Sequence, residues 1–237
     1  MALRPELPRA SDHRYFTAAA LVLVALVLAG FARTYYLRPL FTAVPLGTFL
    51  HVHGVVMSAW IVVFLVQALL VASGRVAWHR RLGTAGVAFA ALATVFGCLA
   101  TFRAAAREVA AHSADASARV TVLGLELTQM LLFVAFIAAG VAMRRRSDYH
   151  KRFMLLATMC MLPNPISRLP VSFDSNLAII VQFDAIVLAA ILVDAIRRRA
   201  VHPVFLWGGA ALVATLHGAF VIAYSRGWHE LANAWVS

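Results

Sequence analysis

The chain has 237 residues, 62% of them hydrophobic and 13% charged, with a mean hydropathy of +0.83. Soluble domains carry about 45–50% apolar and about 25% charged residues, so the composition excludes a soluble domain and indicates an integral membrane protein. The 21 basic residues outnumber the 10 acidic ones for a formal charge of +11, but they gather in short clusters between apolar runs, which sets nucleic-acid binding aside and makes them topology signals.

A bilayer core about 30 Å thick needs about 20 apolar residues in a helix. Seven such segments are predicted, at 16–32, 46–72, 83–105, 120–143, 152–168, 177–196 and 204–225. The expected fold class is an all-α polytopic transmembrane helix bundle of seven spans, with residues 1–237 as one transmembrane domain. The fifth segment is the weakest, because Pro163 and Pro165 interrupt it and proline removes a backbone hydrogen bond; it is expected to be short or broken. Residues 1–32 could be read as a cleaved signal peptide, given the small residues of Ala29-Gly30-Phe31-Ala32. Asp12-His13-Arg14 beside a long apolar run favours a retained first helix.

The basic clusters alternate along the chain: Arg4, Arg9 and Arg14; Arg75, Arg80 and Arg81; Arg144, Arg145, Arg146, Lys151 and Arg152; Arg197, Arg198 and Arg199. By the positive-inside rule all four face the cytoplasm. That places the N-terminus inside and the C-terminus in the periplasm of a bacterial inner membrane. The opposite ends, 33–44, 107–119, 169–176 and 226–237, carry Tyr35, Tyr36, Trp228 and Trp235 as an interfacial belt. Lys151 is the only lysine, so no Schiff base to retinal can form inside a span. Cys98 and Cys160 lie in apolar stretches and read as small buried thiols rather than a disulfide or CxxC-type metal site.

A charged group in hydrocarbon costs about 2.5–3.5 kcal/mol on insertion scales, so each one needs a partner or a task. At about 1.5 Å per residue, His51, His53, Glu126, Gln129, Asp184 and His217 fall in one outer layer of helices two, four, six and seven. His53, Met57, Trp60, Phe64 and Gln67 share a helical face, whereas His51 points nearly opposite; the His51-Val52-His53 pair therefore cannot chelate one ion. Cys160, Asn164 and Arg168 form a further stripe whose guanidinium could neutralise Glu126, Asp184 or a ligand carboxylate.

Three chemistries fit this layer. Opposed imidazoles, His53 and His217 with His51 as a further candidate, suit a b-type haem, with Trp60 and Gln129 beside it and Arg168 near its propionates. The same histidines with Glu126 and Asp184 suit a zinc, copper or iron ion. A hydrogen-bonded network with no ligand is the structural alternative. Histidines at the inner boundary, His79 and His150, read as anchors on anionic lipid phosphates, and Asp194 as a local ion pair with Arg197. His13, His112, His202 and His229 are assigned no role.

Arg33-Thr34-Tyr35-Tyr36-Leu37, His51-Val52-His53-Gly54, Trp60, Gln67, His79-Arg80-Arg81-Leu82-Gly83 and His150-Lys151-Arg152-Phe153-Met154 together resemble a widespread family of small bacterial inner-membrane proteins, a resemblance that implies no activity. More distantly, the histidine-bearing helices are similar to cytochrome b561-like proteins, which implies helix-borne haem ligands and electrons from a small reductant or quinol. The chain departs from that pattern in having histidines at credible membrane depth only in its outer layer. The leading expectation is a redox protein binding haem b or a transition metal, with Glu126 and Asp184 moving the proton released on quinol or small-molecule oxidation. The alternatives are a zinc hydrolase of a lipid-like substrate and a proton- or ion-coupled transporter or assembly subunit with lipid contacts.

Overall fold

The structure, a computed structural model, describes residues 9–170 and 175–236, with side chains from Ser11 onward. Arg4, the side chain of Arg9, and residues 171–174 of the connection 169–176 lie outside the described residues. The described residues are built from helices: α1 (Arg9–Phe31), α2 (Thr48–Ala72), α3 (Val76–Ala110), α4 (Ala116–Ala142), α5 (Ser147–Met159), α6 (Pro163–Ile166), α7 (Asn176–Arg198), α8 (Gly209–Ala223) and α9 (Arg226–Val236). Wider π-helical turns extend α1 through Ala32–Tyr36 and precede α8 at Val204–Gly208.

Six stretches are long and apolar enough to cross a membrane: Ser11–Tyr36, Thr48–Ala72, Val76–Ala110, Ala116–Ala142, Asn176–Arg198 and Val204–Ala223. Large apolar side chains such as Leu21, Val62, Leu131 and Ile196 point outward from them, the arrangement of a multi-pass membrane protein whose outer surface is covered by lipid tails.

The fifth apolar segment differs from an unbroken span, because a 13-residue helix is followed by a turn and then by four helical residues. Pro163 and Pro165 have no N–H to offer the carbonyls of Met159 and Met161; Leu162 N–H takes over the Met159 carbonyl at 3.0 Å. The break is buried rather than lipid-facing. Leu155, Leu156, Ala157, Met159, Cys160, Leu162 and Ile166 are all covered by protein, as irregular backbone at membrane depth must be.

The bundle is organised around α4, which packs against α3, α5, α8 and α9, while α1 lies against α2, α5 and α6. Phe133, Phe136, Leu155, Leu156, Phe183 and Phe205 form the main core. Helix α9 lies across α3 and α4: Trp228 Nε1 donates to Val120 O at 2.8 Å, and its indole lies where a Cβ on Gly124 would come within 2.9 Å. In lipid, helices gain nothing from excluding one another's apolar surface from water, so close approach at small residues carries the packing.

Gly30 is the sharpest case, since a Cβ there would fall 2.7 Å from Pro165 Cα. A backbone atom cannot swing away as a side chain does. Gly30→Ala is therefore expected to lower the unfolding free energy by about 1–3 kcal/mol. Gly218→Ala, where a Cβ meets nothing within 4 Å, is expected to leave stability unchanged or raised. Thermal unfolding of both variants in one detergent checks the contrast.

Candidate functional site

The outer polar residues form two groups. His53, half-buried on α2, places Nδ1 3.2 Å from the Phe96 carbonyl of α3. A carbonyl only accepts, so Nδ1 carries the proton and the Nε2 lone pair is free. Glu126 on α4 and Arg168, just beyond α6, lie close enough to His53 to act on it electrostatically, and on each other. Arg168 is anchored by Nη1 to Asn164 O at 2.5 Å and stacks over Phe31 at 4.8 Å. His51 is exposed, as its helical angle predicts, and its carbonyl accepts from the Tyr35 hydroxyl at 3.2 Å.

The second group is His217 on α8 and Asp184 on α7, joined through Nε2 and Oδ2 at 2.9 Å. His217 is exposed, and Asp184 keeps a second, buried oxygen without a partner. His53 thus turns to α3 and α4, and His217 to α7. The two imidazoles expected to oppose each other across a haem have different hydrogen-bond partners, the Phe96 carbonyl for His53 and Asp184 for His217. Among the described residues no three His, Cys, Asp or Glu side chains are arranged to hold a metal ion, so the ligand set expected from His53, His217, His51, Glu126 and Asp184 is not assembled.

Between the ends, Trp60 sits edge-on to Phe133 with ring centroids 5.2 Å apart. Its indole Nε1 and the Gln129 amide oxygen are buried without partners. Gln129 lines a cavity of about 10 Å³ with Thr128, Cys160, Pro163 and Thr215. That is room for about one water, placed at the break between α5 and α6.

The most heavily bonded polar assembly lies at the opposite end of the bundle, where the sequence suggested lipid anchors and one local ion pair. Arg152 of α5 and Asp194 of α7 are both 0% exposed. Arg152 Nε donates to Oδ2 at 3.0 Å, and Nη2 to Oδ1 and Oδ2 at 2.7 and 2.8 Å. Nη1 takes the Asp148 carbonyl at 2.8 Å, while the guanidinium lies 5.6 and 5.5 Å from the ring centroids of Phe16 and Phe205. Around this pair Lys151 bridges Asp12 and Asp148, and Arg197 binds Asp12 at 3.0 Å and Ser11 at 3.1 Å.

The expected ion pair of Asp194 with Arg197 is present, and the cluster adds to it a closer partner from another helix. Asp194 takes Arg152 as its main partner, with Arg197 a secondary contact at 3.5 Å; a guanidinium that crosses from another helix satisfies both carboxylate oxygens, which an i, i+3 neighbour does not. Lys151 and Arg152, read from sequence as part of a basic topology cluster, turn to carboxylates within the bundle. Both signals were in the spacing: Asp194 shares a face with buried Phe183 and Val187, and Arg152 with Leu155, Leu156 and Met159. The start of α3 belongs to the same end, because His79 there faces His150 at the start of α5.

His202, assigned no role from sequence, is buried and closes this end. Val204 N–H donates to its Nδ1 at 3.2 Å, and Tyr149 packs on its ring at 4.9 Å. Burial first, then the charges of Arg152 and Arg198, push its pKa down to about 4. Burial raises the neighbouring Asp148 carboxyl, but the hydrogen bond and charge of Lys151, then Arg198 and Arg152, hold it below its usual range.

Because folded His202 protonates later than the unfolded residue, the unfolded chain takes up the extra proton as pH falls from about 6.5 to about 4, and stability drops across that window. Asp148, with its pKa lowered, keeps its contribution until the pH falls below 3.8. His202→Asn, which preserves an acceptor for Val204, is expected to lose less stability than the wild type between pH 6.5 and pH 4; unfolding in buffered detergent measures the difference. Comparison with family models, curated proteins and solved structures finds no match to this chain, so its function is argued from these residues.

Proposed function

We propose that the protein is a seven-span bacterial inner-membrane protein, with its N-terminus in the cytoplasm and its C-terminus in the periplasm, working as a proton-coupled transporter. The observation that carries this reading is the buried, proline-broken α5–α6 segment with ionisable groups at both of its ends. Arg152, Asp194 and Asp148 meet at one end; Arg168, Glu126 and His53 interact at the other. Discontinuous helices at membrane depth mark transport sites in membrane bundles, and ionisable groups there mark proton routes.

The orientation rests on the meeting of the starts of α1, α3 and α5 with the end of α7, which brings the basic clusters together on the side the positive-inside rule assigns to the cytoplasm. The seventh crossing is the α5–α6 segment itself. It is buried within the bundle, so it needs neither the length nor the unbroken apolar surface that lipid demands of its neighbours.

In this reading Glu126 and His53 exchange a proton with the periplasm, and Asp184 with His217 forms a second exchange point. Gln129 and one water beside the α5–α6 break bridge toward the inner end. Arg168 lies within electrostatic reach of Glu126. The full chain, reconstituted in liposomes with an internal pH dye, is expected to acidify the lumen under an imposed inside-negative potential. Glu126→Gln and His53→Ala are expected to cut that flux about tenfold or more. Flux no greater than in empty vesicles, or unchanged in both variants, contradicts the reading.

A second reading, a redox protein holding haem b or a transition metal and oxidising a quinol or other small apolar reductant, is favoured by a separate observation. His53 and His150 each place a ring nitrogen on a backbone carbonyl, Phe96 and Gly140 respectively, the second-sphere bond that orients metal-ligating imidazoles. An optical spectrum of the purified protein separates the readings: a Soret band that sharpens on reduction supports haem, and its absence rejects it.

A further inference from the structure

At the end of the bundle remote from Arg152 and Asp194, the start of α2 and the last turns of α3 frame an open cavity of about 360 Å³. Gly47, Thr48 and Leu50 line one side of it, and Ala100, Arg103 and Arg107 the other. That volume falls in the range of about 300–1,000 Å³ typical of small-molecule sites, well beyond the needs of one water. Ala100, Arg103, Ala104 and Arg107 follow the i, i+3, i+4, i+7 series and share one face of α3. The alanines leave the room, and the guanidinium groups rim it.

The rim is short of negative charge. Among the described residues Arg103 has no acid within ion-pair distance, and its guanidinium lies 4.3 Å from the Phe49 ring centroid. Arg107 has only its chain neighbour Glu108, at 3.8 Å. Gly47 is the N-cap of α2 and offers no side chain to the N–H groups of the first turn, which give that helix end a partial positive charge. Two guanidinium groups and a helix start therefore line one cavity, with a single carboxylate beside it.

Depth selects the ligand. Residues 82–102 of α3 carry no charge and rise about 32 Å at about 1.5 Å per residue, the thickness of a hydrocarbon core of about 30 Å. Arg81 and Arg103 mark its two boundaries, which sets the cavity at the level of lipid phosphates. Leu99 and Val95, one and two turns closer to the membrane centre than Arg103, are both exposed. We infer that this cavity binds the phosphate of an anionic phospholipid in the leaflet at this end, with the acyl chains lying along Leu99 and Val95. Guanidinium presents paired N–H donors that match phosphate oxygens, and a helix N-terminus adds backbone donors of the same kind. A choline headgroup would bring a quaternary ammonium beside two guanidinium groups, with the Phe49 ring already taken by Arg103, so a lipid of net negative charge is preferred. The site requires only that the bundle spans a membrane, in either direction, and uses none of the groups of the proposed proton route.

Native mass spectrometry of the full chain in detergent, titrated with phosphatidylglycerol, phosphatidylcholine or inorganic phosphate, tests the inference. The wild type is expected to hold one more phosphatidylglycerol per chain than a chain carrying both Arg103→Gln and Arg107→Gln, and to bind it at least tenfold more tightly than phosphatidylcholine. Inorganic phosphate at equal concentration is expected not to displace it. Gly47→Asp separates ligation from folding. The backbone there is extended, with φ −60° and ψ 144°, an added Cβ meets nothing within 4 Å, and aspartate is a preferred N-cap. This variant is expected to melt at or above the wild type while its carboxylate takes the place of the phosphate and weakens phosphatidylglycerol binding at least tenfold. Equal retention in the wild type, the double variant and Gly47→Asp, phosphatidylcholine held as tightly as phosphatidylglycerol, or displacement by inorganic phosphate overturns the assignment.

Discussion

The buried contact between Arg152 and Asp194 constrains the rest of the molecule. Taking a guanidinium and a carboxylate out of water costs several kcal/mol per ion, recovered only when geometry is close and every remaining donor is used. Here three guanidinium bonds reach the carboxylate and a fourth reaches the Asp148 carbonyl. Two aromatic rings cover the cation. Helices α5 and α7 are joined by this pair, and α1 enters through Asp12 and Tyr15, whose hydroxyl bonds Ala190 O at 2.7 Å, so polar contacts tie three elements together at one end.

That lock fixes the height of α5 in the bundle, and with it everything further along the same segment. The proline break falls beside the Gln129 cavity, Pro165 meets Gly30 of α1, and Arg168 arrives within range of Glu126 and His53. A shift of α5 by one helical turn would move Arg168 by about 5.4 Å and leave Glu126 without its cation. The inner ion pair and the outer polar group therefore lie at the two ends of one proline-broken segment. Close approach also occurs at Gly30 against the Pro165 backbone and at Gly124 against the Trp228 indole, where an added Cβ would collide with its neighbour.

Much of the architecture was legible in the residues. The apolar runs gave the six long helices; the two prolines marked the segment that breaks; and the angles around α2 placed His51 outward, with Trp60 buried on the opposite face. What was not legible is which distant polar groups meet. Depth along a helix is readable from sequence at about 1.5 Å per residue, but rotation of one helix against another is not, and rotation decides that His53 meets the Phe96 carbonyl and His217 meets Asp184. The inner cluster was missed for a different reason. Basic residues at a helix end usually serve the lipid interface, and three acids scattered at positions 12, 148 and 194 do not announce that they converge. Their heptad-like partners, buried Phe183 and Val187 before Asp194 and Leu155, Leu156 and Met159 after Arg152, carried the missing signal.

The account is tested most directly by a double-mutant cycle on the inner pair, read as unfolding free energy in detergent. Arg152→Met or Asp194→Leu alone strands a buried charge and is predicted to cost about 3–5 kcal/mol, whereas the two together remove both charges and are predicted to restore most of that loss. Single variants that each cost under about 0.5 kcal/mol, with effects that simply add, match a solvent-exposed pair and contradict the claim that this contact holds the bundle in register.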